Sequence, residues 1–132
     1  MKARTAFIAL ALFSAQASAE WQFIVKDSSG TDYFIDLSTK RQQGQYTLVW
    51  EMVDYSKAQQ WNGKSFNSVK QLSVYQCSEL RLGGKSSVLY SGKLGMGNTV
   101  HNQSQEMRDV KFDDLVPDTV GETLFNIVCG KG

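Results

Sequence analysis

The feature that most constrains the fold is a lone pair of cysteines, Cys77 and Cys129, which lie 52 positions apart. An even number of cysteines in an exported chain indicates a disulfide framework. The alternative is half of a redox or metal site, which needs clustered Cys and His. This chain has no third cysteine and one histidine, His101. The pair therefore predicts one structural bridge, worth roughly 4 kcal/mol in the chain-entropy model.

The start of the chain indicates export. Lys2 and Arg4 precede an apolar run at 6–13, and "ASA" at 17–19 fits a cleavage site. This pattern predicts a signal peptide, residues 1–19. The alternative is a membrane anchor, which the short run disfavours because a span needs about 20 apolar residues. Since no cysteine lies at the cut, we expect no lipid anchor.

The mature chain, residues 20–132, has the size of one small domain. Without Lys2 and Arg4, the 14 basic residues of the sequence become 12, against 13 acidic ones. This near-neutral balance indicates neither a nucleic-acid partner nor an anionic membrane. We expect a periplasmic or secreted protein, with association to the cell surface left open.

Most of the mature chain has the patterning of strands. "WQFIV" at 21–25 and "YFIDL" at 33–37 flank turn-forming residues and predict a hairpin. A turn is expected at 41–45, before the strongest strand, "YTLVWEMVDY" at 46–55. Its even positions are apolar or aromatic and its odd positions are mixed, which indicates one core face. The next segment, "SKAQQWNGKS" at 56–65, is expected to be a polar connection.

Further strands are predicted at 66–77 and 86–92. The pair Gly83 and Gly84 between them marks either a turn or a kink within one long strand. Both readings give an antiparallel meander. The segment "KLGMGNTVHNQSQEMRD" at 93–109 is polar and glycine-containing, so it is expected to hold at most one short strand and a surface loop.

The end of the chain predicts a helix. Thr119 and Glu122 fit a capping box, and Gly130 supplies a stop. Between them, apolar residues recur at the spacing of one helix face: Val120, Leu124, Ile127 and Val128. So short a helix needs a surface to lie on. We expect that surface to be the even face of the strongest strand, namely Tyr46, Leu48, Trp50 and Met52. The whole pattern predicts an α+β fold.

Few residues carry the pattern of a catalytic or metal site. His101 is the only histidine, and no serine or free cysteine is arranged to act with it. "GKLGMG" at 92–97 lacks the spacing of a phosphate-binding loop and is expected to be a turn or bent strand. Three carboxylates precede the helix, but they give only a weak glycosidase or calcium pattern: Asp113, Asp114 and Asp118. We expect a non-enzyme without cofactor or metal.

Trp61 is the more informative side chain, because it lies in a polar segment between Lys57 and Lys64. A tryptophan rimmed by polar groups is typical of protein-binding surfaces. The alternative is that Trp61 folds back onto the rim of the sheet. These three residues form the candidate binding surface.

The order of several segments resembles the surface-adhesin protein E family of Gram-negative bacteria. The segments are "EWQFI", "DYFIDLSTKRQQG", "VWEMVDY", "KSFNSVKQLSVYQC", "YSGKLGMG" and "VPDTVGETLFNIVCG". The resemblance implies an antiparallel sheet of about six strands, with a C-terminal helix tied to its concave face by a disulfide between Cys77 and Cys129. It also implies a surface protein that binds host extracellular proteins.

Two functions follow as expectations. The first is an exported, non-catalytic, adhesin-like module that binds a host protein. The alternative is a periplasmic accessory or envelope protein that binds another bacterial protein. Unpaired strand edges and a mixed second face also leave a homodimer open as an alternative to a monomer.

Overall fold

A computed structural model describes residues 18–130, so the predicted signal peptide lies outside it apart from its last two residues. In this range the chain forms one antiparallel sheet and one helix. The strands are β1 (Gln22–Lys26), β2 (Asp32–Gln43), β3 (Tyr46–Trp61), β4 (Lys64–Gln76), β5 (Arg81–Tyr90), β6 (Thr99–Ser104) and β7 (Asp113–Asp114), and the helix is α1 (Val120–Val128). This arrangement confirms the predicted α+β fold.

The sheet is a meander in which the first six strands lie side by side in chain order. β7 is a short addition that pairs with the beginning of β5. Consecutive antiparallel strands need only tight turns, which explains why most connections are short. The predicted first hairpin is confirmed, since Gln22 pairs with Ile35 and Lys26 with Asp32.

The predicted polar connection at 56–65 is wrong, because β3 continues to Trp61 and β4 begins at Lys64. Only Asn62 and Gly63 connect them, with φ angles of 47° and 78°. Two residues with positive φ form the tight turn that suits the twist of a hairpin, and Asn-Gly is its usual sequence. That dipeptide was the overlooked signal in this segment.

Two bulges bend the long strands. Between the pairs Asp54–Ser68 and Gln59–Phe66, four residues of β3 face one residue of β4. β2 has a similar irregularity and then continues to Gln43, so the turn expected at 41–45 is shorter than predicted. Bulges of this kind explain why polar stretches can belong to strands without following a strict alternation.

The helix agrees closely with its prediction. The Thr119 hydroxyl accepts a hydrogen bond from the Glu122 amide at 3.3 Å, as an N-cap should. The Glu122 carboxylate accepts from the Asp118 amide at 3.4 Å instead of from Thr119, so the capping box is completed one residue earlier. Gly130, with a φ of 69°, follows the helix. Nowhere in residues 18–130 is there a helix long and apolar enough to span a membrane.

The surface beneath the helix was predicted wrongly. Leu124, Phe125 and Val128 pack against Ile35, Val49 and Tyr75, which define the helix face of the sheet. They do not pack against the predicted even face of β3: Tyr46, Leu48, Trp50 and Met52.

That even face belongs to the reverse face of the sheet, which a different part of the chain covers. Met107 and Phe112, from the segment between β6 and β7, pack against its cluster of Leu48, Leu72 and Val74. The Phe112 ring stacks on Tyr46 with centroids 5.6 Å apart. The alternation of one strand identifies two faces but not which of them the helix covers, because neighbouring strands decide that.

The disulfide forms as predicted between Cys77 and Cys129, whose Cα atoms are 5.6 Å apart. Cys77 directly follows β4, and Cys129 is the C-terminal cap of α1. The bridge therefore fixes the last turn of the helix to the end of a central strand.

Candidate functional site

The helix covers only part of its face of the sheet. The hydrophobic cluster beneath it takes Val49 from β3 and Tyr75 from β4, and its described members include no residue from the hairpin end of either strand. The hairpin end of this face carries Trp61 and His101, which contact each other. We call the group Lys57, Trp61, Lys64 and His101 the tip surface.

Trp61 folds onto the sheet, as the alternative interpretation of the sequence predicted, and the residue that it covers is His101. Its ring stacks on that of His101, with centroids 3.9 Å apart and planes 17° from parallel. Both side chains remain partly exposed. His101 lies on β6, where it pairs with Leu89 of β5. Stacking therefore holds the indole in one orientation while part of it stays accessible to a partner.

The two lysines of the tip surface are placed differently. Lys64 is the direct cross-strand partner of Trp61, so both side chains leave the same side of the hairpin. Lys57 lies in the bulge of β3, and its carbonyl accepts a hydrogen bond from Gln59. Both lysines are exposed. The structure thus brings Trp61 and Lys64 together, and among the described residues the Lys57 side chain makes no hydrogen bond or ion pair with either of them.

His101 was not predicted to belong to this surface. β6 and the end of β3 are not neighbours in the sheet order, so their contact depends on the bends in the long strands. No local pattern in one sequence reports such a contact. The shared polar surroundings of the two aromatic rings are the only signal, and it is weak.

The glycine-containing segment at 92–97 is a turn, as predicted. Its centre is a 3₁₀ turn at Lys93–Gly95. The Leu94 amide donates to the Asp54 carboxylate at 2.7 Å, and the Gly95 amide donates to the Ser68 hydroxyl at 2.8 Å. Because both amides are hydrogen-bonded within the protein, they are not free to bind a phosphate.

The carboxylates before the helix do not come together as a site. Asp113 and Asp114 form β7, and Asp114 makes an exposed ion pair with Arg81 at 3.5 Å. Across residues 18–130, no three or more His, Cys, Asp or Glu side chains are grouped closely enough to hold a metal ion.

An unforeseen carboxylate, Glu51, lies buried at the centre of the helix face. It accepts hydrogen bonds from the hydroxyls of Tyr75 and Ser73, the latter at 2.8 Å. No cation pairs with it among the described residues. Burial therefore raises the pKa of Glu51 to about 6, although the two hydroxyls oppose that rise. A charged residue between Trp50 and Met52, at the middle of the strongest strand, was the available signal.

Replacing Glu51 with glutamine is expected to stabilise the protein at neutral pH. The folded-state pKa lies above the ordinary value of 4.5, so the stabilisation from this group is complete below pH 4.5 and is lost as the pH rises through 6. Above that pH the buried charge costs about 2 kcal/mol. Glutamine can still accept from Tyr75 and donate to Ser73. Melting of E51Q and the parent at pH 4.5 and 7.5 measures this.

The matched control is E79Q, which changes an exposed glutamate and should shift neither melting curve. The expected result is a higher melting temperature for E51Q at pH 7.5 and a smaller difference between the two pH values. A lower melting temperature for E51Q at pH 7.5 would contradict the assignment of an ionised, costly carboxylate.

One known protein family matches the chain over almost its whole described length. The sequence profile described as "Surface-adhesin protein E" matches residues 21–130, which is nearly all of the described range. The chain belongs to the surface-adhesin protein E family. The resemblance noted from the sequence is thereby confirmed. No curated protein sequence is significantly similar to the chain.

Solved structures of protein E from Haemophilus influenzae share the fold. Crystal form II matches with a TM-score of 0.64 at 18% identity, covering 88% of this chain and 91% of that one. Protein E from a non-typeable strain matches with a TM-score of 0.59 at 19% identity, covering 88% and 79%. Sequence identities this low show that the two proteins share a fold. They do not show that the two proteins share a ligand.

Proposed function

We propose that this member of the surface-adhesin protein E family is an exported, non-catalytic module that binds a protein ligand through its tip surface. The observation that carries the proposal is the stacked pair of Trp61 and His101, partly exposed beside Lys64. Family membership supports an adhesin-like role and export.

The tip surface has the chemistry of a protein-binding anchor. Tryptophan contributes a large rigid contact area, and stacking on His101 reduces the entropy that it would lose on binding. Residues 56–66 contain two lysines and no acidic residue. Charge complementarity therefore favours an acidic patch on the ligand, and salt should slow the association.

The surroundings of His101 support a non-catalytic role. Its ring is stacked on Trp61, and its nearest polar partner is the Gln103 side chain at 3.4 Å. A general base would need a nucleophile within hydrogen-bond reach and an orienting carboxylate. In residues 18–130, neither group is hydrogen-bonded to this histidine.

A host extracellular protein is the first candidate ligand, because the family is one of surface adhesins. The alternative ligand is a protein of the bacterium's own envelope. Both would use the same surface, so one experiment can separate them. The mature protein is immobilised and offered a panel of extracellular matrix proteins and, separately, an envelope extract of the producing bacterium.

Replacing Trp61 with alanine is expected to weaken capture of the ligand at least tenfold, because an anchoring tryptophan typically contributes 2 kcal/mol or more. The matched control is F23A, which removes an exposed aromatic ring on β1, away from the tip surface. K64E should weaken binding less and make it less dependent on salt. Dissociation constants from biolayer interferometry, with melting curves for every variant, give the comparison.

Equal binding by W61A and the parent, with both variants folded, would contradict the assignment of the tip surface. Capture of no protein from either source would contradict the binding function itself. A loss in F23A equal to that in W61A would place the contact on another part of the sheet.

A further inference from the structure

Beside the tip surface, the described residues form a cleft whose lining is polar and almost uncharged. It encloses about 290 Å³ between the central strands and β6. Apart from Gly84 and Lys85, the residues that line it are glutamines and serines: Gln71, Ser86, Ser87, Gln103, Ser104 and Gln105. Lys85 is the one charged residue of the lining, and no carboxylate belongs to it. Sites for apolar ligands are lined mainly by hydrophobic side chains, so this cleft suits a different kind of molecule.

The register explains why three of these side chains converge. Gln71 of β4 is paired with Ser87 of β5, and Ser87 with Gln103 of β6. Directly paired residues point to the same side of an antiparallel sheet. The row therefore presents two amides and a hydroxyl in one line, on the same side as His101.

The Gln71 amide is positioned by its neighbours. Its Nε2 donates to the Ser73 hydroxyl at 3.2 Å, and a Cβ atom at Gly84 would lie 3.1 Å from the same Nε2. Gly84 thus leaves the space in which the amide lies. Nothing in residues 18–130 donates to Oε1 of Gln71, so this acceptor remains for a ligand.

One lining residue of the cleft, Gln103, contacts the aromatic pair of the tip surface. His101 and Gln103 are two residues apart on β6, and their side chains approach to 3.4 Å. Aromatic rings pack well against the C–H faces of sugar rings, while planar amides can donate to one hydroxyl and accept from the next. Seven of the eight lining residues are uncharged, so neutral hydrogen bonds would make most of the contacts with a ligand.

We infer that this cleft binds an uncharged oligosaccharide, with the amide row contacting its hydroxyls and the Trp61–His101 pair contacting a sugar ring. This inference does not depend on the protein ligand proposed above. A peptide is the other occupant that amides could hold, and the test includes it. Affinity is expected to be modest, because each neutral hydrogen bond contributes little net free energy in water.

The test uses three uncharged tetrasaccharides as probes: maltotetraose, chitotetraose and lacto-N-tetraose. Saturation-transfer NMR detects binding to the parent protein, and calorimetry measures the dissociation constant. Q103A should weaken binding roughly fivefold, as expected for one lost hydrogen bond. G84A should weaken it as well, because its methyl group displaces Gln71. Q43A, which changes an exposed glutamine at the end of β2, is the matched control and should leave binding unchanged.

The inference would be overturned by failure of all three probes to bind, or by binding that Q103A and G84A do not weaken. Tighter, salt-dependent binding of a sialylated or sulfated analogue would also overturn the uncharged class. Displacement of the bound sugar by an uncharged tetrapeptide at equal concentration would assign the cleft to peptides. The sugar experiment has its own probes and its own variants, Q103A and G84A, so a failed protein-capture experiment and a failed sugar experiment remain distinguishable.

Discussion

Replacing Cys77 or Cys129 with serine is expected to lower the free energy of unfolding by roughly 4 kcal/mol. The loop of 52 residues that the disulfide closes makes the unfolded chain less flexible, and its loss removes that constraint. Small domains have a total stability of about 5 to 15 kcal/mol, so the variants should be close to unfolding at physiological temperature. Chemical denaturation of C77S, C129S and the double variant measures the loss.

The helix should separate from the sheet first in these variants. α1 has nine residues, which is too short to persist in water without packing. Its departure would expose Phe125 and Tyr75, so we expect binding of a hydrophobic dye and faster hydrogen exchange in the helix. S78A, next to the bridge and exposed, is the control. Two free thiols in the exported protein, or unchanged unfolding in C129S, would contradict the structural role.

Replacing Phe125 with alanine is expected to destabilise the protein by about 3 to 5 kcal/mol. Its side chain is 1% exposed and its ring lies 5.9 Å from that of Tyr75, at the centre of the contact between helix and sheet. Alanine would leave a cavity that the rigid sheet cannot fill. The control is N126A, which changes the adjacent exposed residue of the same helix and should cost less than about 0.5 kcal/mol.

The losses of stability caused by C129S and by F125A should not be additive. Once the bridge is absent and the helix has separated, removal of Phe125 has little packing left to remove. The loss in a combined C129S and F125A variant should therefore be smaller than the sum of the single losses. Additive losses, or a loss below 1 kcal/mol in F125A alone, would show that the helix is not held by this contact.

The parts of the fold that were predictable rest on local signals. The capping residues Thr119 and Glu122, the helical spacing and the stop at Gly130 all lie within one short segment, and the helix forms there. The disulfide followed from counting cysteines together with the indication of export. Such features need no knowledge of which strands are neighbours.

The incorrect predictions have two causes, namely features that other strands decide and one local turn signal that was overlooked. β3 has apolar residues on both faces, and its own sequence cannot show that Ile35 and Tyr75 make the face of Val49 the one beneath the helix. The segment at 56–65 was predicted to be a connection because its residues are polar. The Asn62–Gly63 dipeptide, which is typical of a tight hairpin turn, was overlooked. Hydrophilic residues can form a strand where that strand extends beyond the core.

The arrangement of the candidate binding residues was predicted in part, and their role in binding stays a prediction. Trp61 and Lys64 lie together as the sequence suggested, whereas the stacking on His101 and the amide row ending at Gln103 depend on pairing across the sheet. Glu51 was likewise hidden among mixed residues. These groups come together only through the register of β3 to β6.

The disulfide and the helix cover one part of the helix face of the sheet and leave the hairpin end of that face accessible. Under the proposed function, the rigid core would support Trp61 and His101 without contacting a ligand itself. Substitutions in the core should therefore change stability and leave binding unchanged at temperatures where the variant is folded. Substitutions at the tip surface should weaken binding and leave stability unchanged.

Hydrogen–deuterium exchange of the mature protein, alone and with the protein that it captures, would show whether the ligand binds at the tip surface. We expect slower exchange in 57–64 and 99–103 on binding, with little change in α1 or β1. Protection confined to the helix or to the β1 edge, with no change in those two segments, would show that the ligand does not bind at the tip surface.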